Sequence, residues 1–128
     1  LQSLLWRKAC KPNGKHGFHI HAKGNMLEGC NSLCSHFNPF NKHHGNINGK
    51  DAHVGDLGNI NSVNNQSKGI KRSKYLLLSG KTNIIGRSVV IHQDEDDLGL
   101  GGDEESLKTG NAGDRIGCAV IGYKEAYY

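Results

Sequence analysis

Residues 16 to 21 read HGFHIH, three imidazoles in six positions. His19 and His21 lie two apart in a segment whose aromatic and β-branched residues favour extended chain. Both rings then project from one face, where they can grip a single ion. Eight histidines occur in all, at 16, 19, 21, 36, 43, 44, 53 and 92. Neutral imidazole is the commonest transition-metal ligand, and so many copies rarely accumulate without that use. His36, His44, His53 and Asp56 follow one another at separations of eight, nine and three residues. Three imidazoles and a carboxylate suit a four-coordinate zinc, with ligands about 2.0 to 2.2 Å from the ion. His92 ends the apolar run SVVIH, where it could turn back toward His19 and His21. A nitrogen-rich, near-planar set of that kind suits copper better than zinc.

The elements that must position these residues are short. Segments 3–6 (SLLW), 17–21 (GFHIH), 74–80 (KYLLLSG), 84–92 (IIGRSVVIH) and 118–123 (CAVIGY) read as strands, and no segment keeps a helical period. Glycine, at 18 copies, and asparagine are abundant and only 6% of residues are aromatic. That composition predicts an all-β protein, one domain over 1–128, with its function in loops. Two stretches, 24–60 and 93–117, are left as long loops, a length usual for functional segments.

Charge and cysteine use exclude several classes. The net charge of +4 is scattered apart from KGIKRSK at 68–74. No aromatics interleave with that run, so it reads as a solvated loop and nucleic acid is not expected as a partner. No apolar stretch approaches the roughly 18 residues needed to cross a bilayer, so no membrane partner is expected either. The opening LQSLLW is too short for a signal-peptide core, although the chain starts at Leu1 and an upstream segment stays open. Cysteines at 10, 30, 34 and 118 form no CxxC unit, and their number alone does not determine a pairing.

Five motifs carry a family resemblance: GFHIH, HFNPFNKHHG, HVGDLGNI, GRSVVIHQDEDDLG and EESLKTGNAGDRIGCAVIG. In order and spacing they resemble the copper/zinc superoxide dismutase family, from Gly17 to Gly122. The resemblance implies a Greek-key β-barrel or sandwich of eight strands, with long metal-binding and electrostatic loops. It implies copper on His19, His21, His36 and His92, and zinc on His36, His44, His53 and Asp56, with His36 bridging the two. Asp96 resembles the carboxylate that joins a copper-binding ring to a zinc-binding one. Arg115 resembles the arginine that draws in superoxide and, with His36, is the implied catalytic pair. Lys108 and Thr109 would line the funnel above the copper, and Glu104 and Glu105 would shape the field at its mouth, steering an anion inward as in the family. The remaining acids, Asp94, Glu95, Asp97 and Asp103, read as solvated loop. Cys30 and Cys118 match the family's disulfide, and Cys10 reads as a free thiol.

The implied function is conversion of superoxide to oxygen and hydrogen peroxide in the cytoplasm, with an extracellular location left open. Implied partners are a second copy, paired near Ile85, Gly86 and VIGY, and a copper-delivery protein. The alternative is a weak or inactive relative that binds metal and acts as a decoy or regulator of a true dismutase.

Some positions depart from the family. Cys34 stands where glycine is usual and could compete for Cys118, Ala52 replaces an arginine, and Asn25 replaces an aspartate. About two strands' worth of chain normally precedes SLLW. The expectation is therefore a fragment or a divergent copy with about six strands, an exposed sheet edge and core side chains lacking partners.

Overall fold

The computed structural model describes residues 5–6 and 13–124. Its strands are β1 Leu5–Trp6, β2 Gly14–His21, β3 Asp56–Ser62, β4 Ser88–His92 and β5 Arg115–Val120. They form one antiparallel sheet in the order β1-β5-β4-β2-β3. The only α-helix among the described residues is the single turn α1, Ser106–Thr109. The all-β expectation holds, with five strands among the described residues.

The strand boundaries differ from the reading in instructive ways. Segment 74–80 is not a strand: Leu77 makes an isolated bridge to Asn83, and Leu77 and Leu78 stay exposed. An apolar run without alternation gives a sheet no face to bury. Conversely, β3 begins within the stretch 24–60 that reads as loop and runs past its end. Its sequence, DLGNINS, is too polar to signal a strand, because Asp56 serves the site and the Asn59 amide serves a neighbouring loop.

The two faces of the sheet do different work. Phe18 sits opposite Ile91 and Ile20 opposite Val89, so these four share one face. There Ile20 and Leu57 pack with Phe37 and Val54 from the connecting loop, and Ile91 packs with Ile116. His19 opposite Val90 and His21 opposite Ser88 occupy the other face. Val90, Cys118 and Leu33, all fully buried, form a small cluster there.

Two register shifts decide which side chains reach the histidine face. Between β2 and β3 the pairing moves from Gly17–Asn59 to His19–Asp56, one residue out of regular step. Asp56 thereby comes opposite His19, while Leu57 turns into the apolar cluster. Gly58, at φ 73°, supplies the left-handed residue that such a bulge favours. Between β4 and β5 the pairing moves from Ile91–Gly117 to His92–Arg115. The extra residue sends Ile116 to the apolar face and sets Arg115 beside His92.

Cys30 and Cys118 form a disulfide with Cα atoms 5.8 Å apart. It ties the 3-10 turn Gly29–Leu33 to β5 across 88 residues of sequence. Cys34 is the free cysteine among the described residues and is exposed, and Cys10 lies outside them. Closing a loop of this size should contribute about 4 to 5 kcal/mol in the chain-entropy model. Urea unfolding of Cys30→Ser against the parent chain should show a loss of that order. A loss under about 1 kcal/mol would mean that the loop is held by packing instead.

Candidate metal centre

Strand alternation places His19 and His21 on one face, β4 ends in His92 on that same face, and the loop after β2 brings His36 between them. The backbone fixes this loop by pairing, since the Ala22 amide donates to Ser35 O, Phe37 to Ile20 O and Gly55 to Phe37 O. Four donor atoms of His19, His21, His36 and His92 all lie within 4.8 Å of one another, and every residue is buried.

Hydrogen bonding settles which nitrogen of each ring is left over. His21 Nδ1 donates to Cys34 O at 2.7 Å and His92 Nδ1 to Gly113 O at 3.0 Å. A neutral ring carries one proton, so the two Nε2 atoms, 3.3 Å apart, face each other as lone pairs. His19 Nε2 donates to Asp96 Oδ2 at 2.6 Å, which leaves its Nδ1 bare. His19 Nδ1 and His36 Nε2 are indeed buried atoms without a hydrogen-bond partner. Converging bare nitrogens in a buried site are costly unless a cation sits among them.

Protons do not supply that cation. Burial, opposed by the Asp96 hydrogen bond, pushes His19 down to about 4. Burial and the neighbouring His19 push His36 to about 3, and burial pushes His92 to about 4. His21 is depressed further by burial and by His36.

A second donor set shares His36. Asp56 Oδ1 lies 3.1 Å from His36 Nδ1, 2.9 Å from His44 Nδ1 and 3.2 Å from His53 Nδ1, and the last is 3.3 Å from His36 Nδ1. For a tetrahedral ion with ligands at about 2.0 to 2.1 Å, neighbouring donors should stand about 3.3 Å apart. The other oxygen of Asp56 accepts from the amides of Gly45 and His53, which fixes the carboxylate. Burial works against its charge, but the three imidazoles hold Asp56 well below the usual carboxylate range.

Asp96 joins the two sets. Its Oδ2 meets His19 Nε2, and its Oδ1 meets His44 Nε2 at 2.7 Å, with all three side chains fully buried. Burial disfavours the Asp96 charge, yet these two rings bring it down to about 2. His44 faces a carboxylate through each nitrogen. Burial opposes its protonation, but Asp56 and Asp96 outweigh burial and raise it to about 9.

The bare nitrogens open on a pocket of about 480 Å³ lined by His21, His36, His92, Glu105, Lys108, Thr109 and Arg115, among others. Arg115 Nη1 donates to Cys30 O at 2.8 Å and Nη2 to Cys34 O at 2.6 Å. The disulfide-anchored turn therefore aims the guanidinium. Glu104 is not in the lining but pairs with Lys108 at 2.9 Å. Asp97 departs from its reading as solvated loop, for it accepts from Gly99 N, Ser106 Oγ and Asn111 Nδ2 and organises the wall of the pocket. Asp103 accepts from the Ser106 amide at the start of α1.

Sequence reasoning missed three participants. Asn59 brackets Asp96, accepting from its amide at 2.7 Å and donating to its carbonyl at 3.0 Å. Gly110, at φ 74°, leaves no room for a Cβ beside Asp96 Oδ1 and His44 Nε2. The Cys34 carbonyl serves both His21 and Arg115. Carbonyls leave no mark in a sequence, whereas Asn59 could have been suspected from its place three residues after Asp56.

A family model described as copper/zinc superoxide dismutase (SODC) matches residues 6–121. The superoxide dismutase (Cu-Zn) of Paramecium bursaria Chlorella virus 1 is 60% identical over 114 residues, which is 88% of this chain and 61% of that protein. Superoxide dismutase (Cu-Zn) A of Xenopus laevis is 50% identical, over 87% of this chain and 74% of its own length. The crystal structure of the clock protein EA4 aligns with a TM-score of 0.82 at 48% identity, covering 88% of this chain and 72% of that one. The chain thus spans about three-fifths of the viral relative and under three-quarters of the others.

Two predictions come from this geometry. His19, His36 and His92 have folded values of about 4, 3 and 4 against 6.5 unfolded. Below pH 6.5 the unfolded chain therefore binds more protons, and stability falls as pH drops, by up to about 1.4 kcal/mol per group per unit. His44, raised to about 9, contributes stability that is complete below 6.5 and lost as pH rises toward 9. The metal-free chain should accordingly have its highest thermal midpoint near pH 6.5. A midpoint that keeps rising down to pH 4 would contradict this. Separately, Gly110→Ala should cost about 1 to 3 kcal/mol in denaturant unfolding, from the positive φ and the displaced Asp96–His44 pair.

Proposed function

Because the chain belongs to the copper/zinc superoxide dismutase family, we propose that it acts as one domain catalysing the dismutation of superoxide. The observation that carries this reading is the bare His36 Nε2, set with His21 and His92 in the lining of a pocket that also holds Arg115, with the bare His19 Nδ1 buried in the same cluster. The gathering of His36, His44 and Asp56, with His53 beside Asp56 and His36, next to the four-histidine cluster supports catalysis over a decoy role.

The donor sets fit the family's metals. His19, His21, His36 and His92 offer only nitrogen and would hold copper, whereas His36, His44, His53 and Asp56, with Asp56 Oδ1 2.9 to 3.2 Å from all three rings, would hold zinc. Copper, when bound, supplies the one-electron couple, and redox-silent zinc supplies a fixed charge on the shared ring.

The chain's own residues do the rest. Arg115 is permanently charged and presents two donors, which suits a small diatomic anion. Two backbone carbonyls hold it in place, so little ordering remains to be done when the anion arrives. Lys108, Thr109 and Glu105 line the approach, and Glu104 restrains Lys108. His36 can carry a proton at Nε2 whenever that nitrogen is free, and its Nδ1 side stays anchored beside Asp56. Asp96 keeps His19 and His44 in single orientations, as an outer carboxylate does for metal-bound imidazoles. Over one cycle, one superoxide is oxidised to oxygen, and a second is reduced with two protons to hydrogen peroxide.

A homodimer, a copper-delivery protein and a cytoplasmic location belong to this proposal by family analogy, although a Drosophila melanogaster relative is named extracellular. No described helix is long and apolar enough to cross a membrane.

The deciding experiment measures copper and zinc per chain and superoxide consumption on one sample. One copper and one zinc with fast turnover supports the reading, and full metal content without turnover would sink it. Arg115→Ala should keep both metals and lose about tenfold or more in rate at low ionic strength, since steering of this kind is worth 10- to 1,000-fold.

A further inference from the structure

The loop after β4 crosses the histidine face of β2 and β3 and is strapped there at two residues. The Gly17 amide donates to Asp94 O at 2.9 Å. Asn59, opposite Gly17 in the β2–β3 pairing, takes both backbone groups of Asp96: its Oδ1 accepts from the Asp96 amide at 2.7 Å, and its Nδ2 donates to the Asp96 carbonyl at 3.0 Å. Gly17 leaves room for the crossing, because a Cβ there would stand 2.7 Å from Ala112 Cβ and 3.4 Å from Asp96 Cβ.

The bulge in β3 is what lets Asn59 reach this loop. Residues three apart in a regular strand point to opposite faces. Here Asp56 stands opposite His19 and Asn59 opposite Gly17, and those two partners share a face of β2. The extra residue thus brings a zinc-set carboxylate and an amide to one side of the same strand. Only an amide fits the second place. Among side chains of this length it alone accepts through one atom and donates through another, as a neighbouring N–H and C=O demand. Asp96 is buried, so its backbone groups have little water to turn to in place of Asn59.

We propose that Asn59 is a positioning residue for both donor sets, acting through Asp96. By holding the backbone of residue 96 at two atoms, it fixes where the carboxylate stands between His19 Nε2 and His44 Nε2. The Leu98 amide, which donates to Asp96 Oδ1 at 2.7 Å, steadies the same carboxylate from the loop side. A carboxylate held in this way cannot drift toward one ring and abandon the other. The inference deepens the dismutase reading and rests on it for the identity of the metals. It is tested on metal binding alone, so a loaded chain without turnover would sink that reading and leave this one standing.

The test measures the zinc affinity of the 128-residue chain by chelator competition, with the visible absorption of cobalt(II) bound in place of zinc as a second readout. Asn59→Ala should bind zinc roughly tenfold more weakly, the low end of the 10- to 100-fold range for outer partners of metal-bound rings, because it acts one residue further out. Its cobalt(II) band should shift. Asn59→Asp keeps the acceptor but loses the donor, and should weaken zinc as well. As a control, Ile84→Val trims a side chain packed on the core and should lower the thermal midpoint with zinc affinity and the cobalt(II) band unchanged. The decisive comparison is a double-mutant cycle. In an Asp96→Ala background, Asn59→Ala should change zinc affinity by less than about twofold, since the route through the carboxylate is already cut. Should either alanine variant fail to fold, Asn59→Ser and Asp96→Asn take its place in the cycle with the same expectations. Equal losses in the two backgrounds would overturn the proposal. So would an Asn59→Ala chain that unfolds more easily yet binds zinc within about twofold of the parent, for Asn59 would then serve the fold alone.

Discussion

Everything in this protein is arranged around imidazole nitrogens that point at one another with no proton between them. His21 Nε2 and His92 Nε2 stand 3.3 Å apart, each with its other nitrogen already donating to a carbonyl. Two neutral rings would not choose that approach in water. They are held there by a sheet that aligns β2 with β4 and by loops whose carbonyls fix each tautomer. The rest of the molecule can be read as the structure required to maintain that unfavourable convergence until a cation relieves it.

Two carboxylates make the arrangement tolerable. Asp56 takes part in one donor set and is itself fixed by two amides. Asp96 never enters a donor set but holds one ring of each. The pair gives His44 a strong preference for the charged form, while burial keeps His19, His36 and His92 neutral. The same few ångströms thus contain rings of opposite protonation tendency. That split arises from which rings face a carboxylate through both nitrogens, not from depth, since all are buried.

The sheet's two faces are coupled through its irregularities. Each bulge moves one polar side chain to the metal face and one apolar side chain to the core: Asp56 with Leu57, and Arg115 with Ile116. Site and core are therefore not independent, because a slip in either register would misplace a ligand or the arginine and expose an apolar residue at the same time. The disulfide adds a third coupling, for the turn it anchors carries the carbonyls that aim Arg115.

How much of this was legible in the sequence follows from the range over which each feature is determined. The ligand types, their order and the pairing of His19 with His21 are local, since a two-residue step in extended chain puts both rings on one face whatever surrounds them. The motifs carried Asp96, Arg115 and the Cys30–Cys118 bridge by resemblance. The strand β3 was not legible, because its polar residues answer to Asp96 and the metal set and not to a periodic pattern. Nor were the bulges, the carbonyls of Cys34 and Gly113, or the closeness of Gly110 to Asp96. By itself the sequence determined which atoms are available to bind a metal. Only the tertiary structure decided which nitrogen of each ring stays bare, because that depends on hydrogen bonds to backbone and carboxylates as many as 77 residues away.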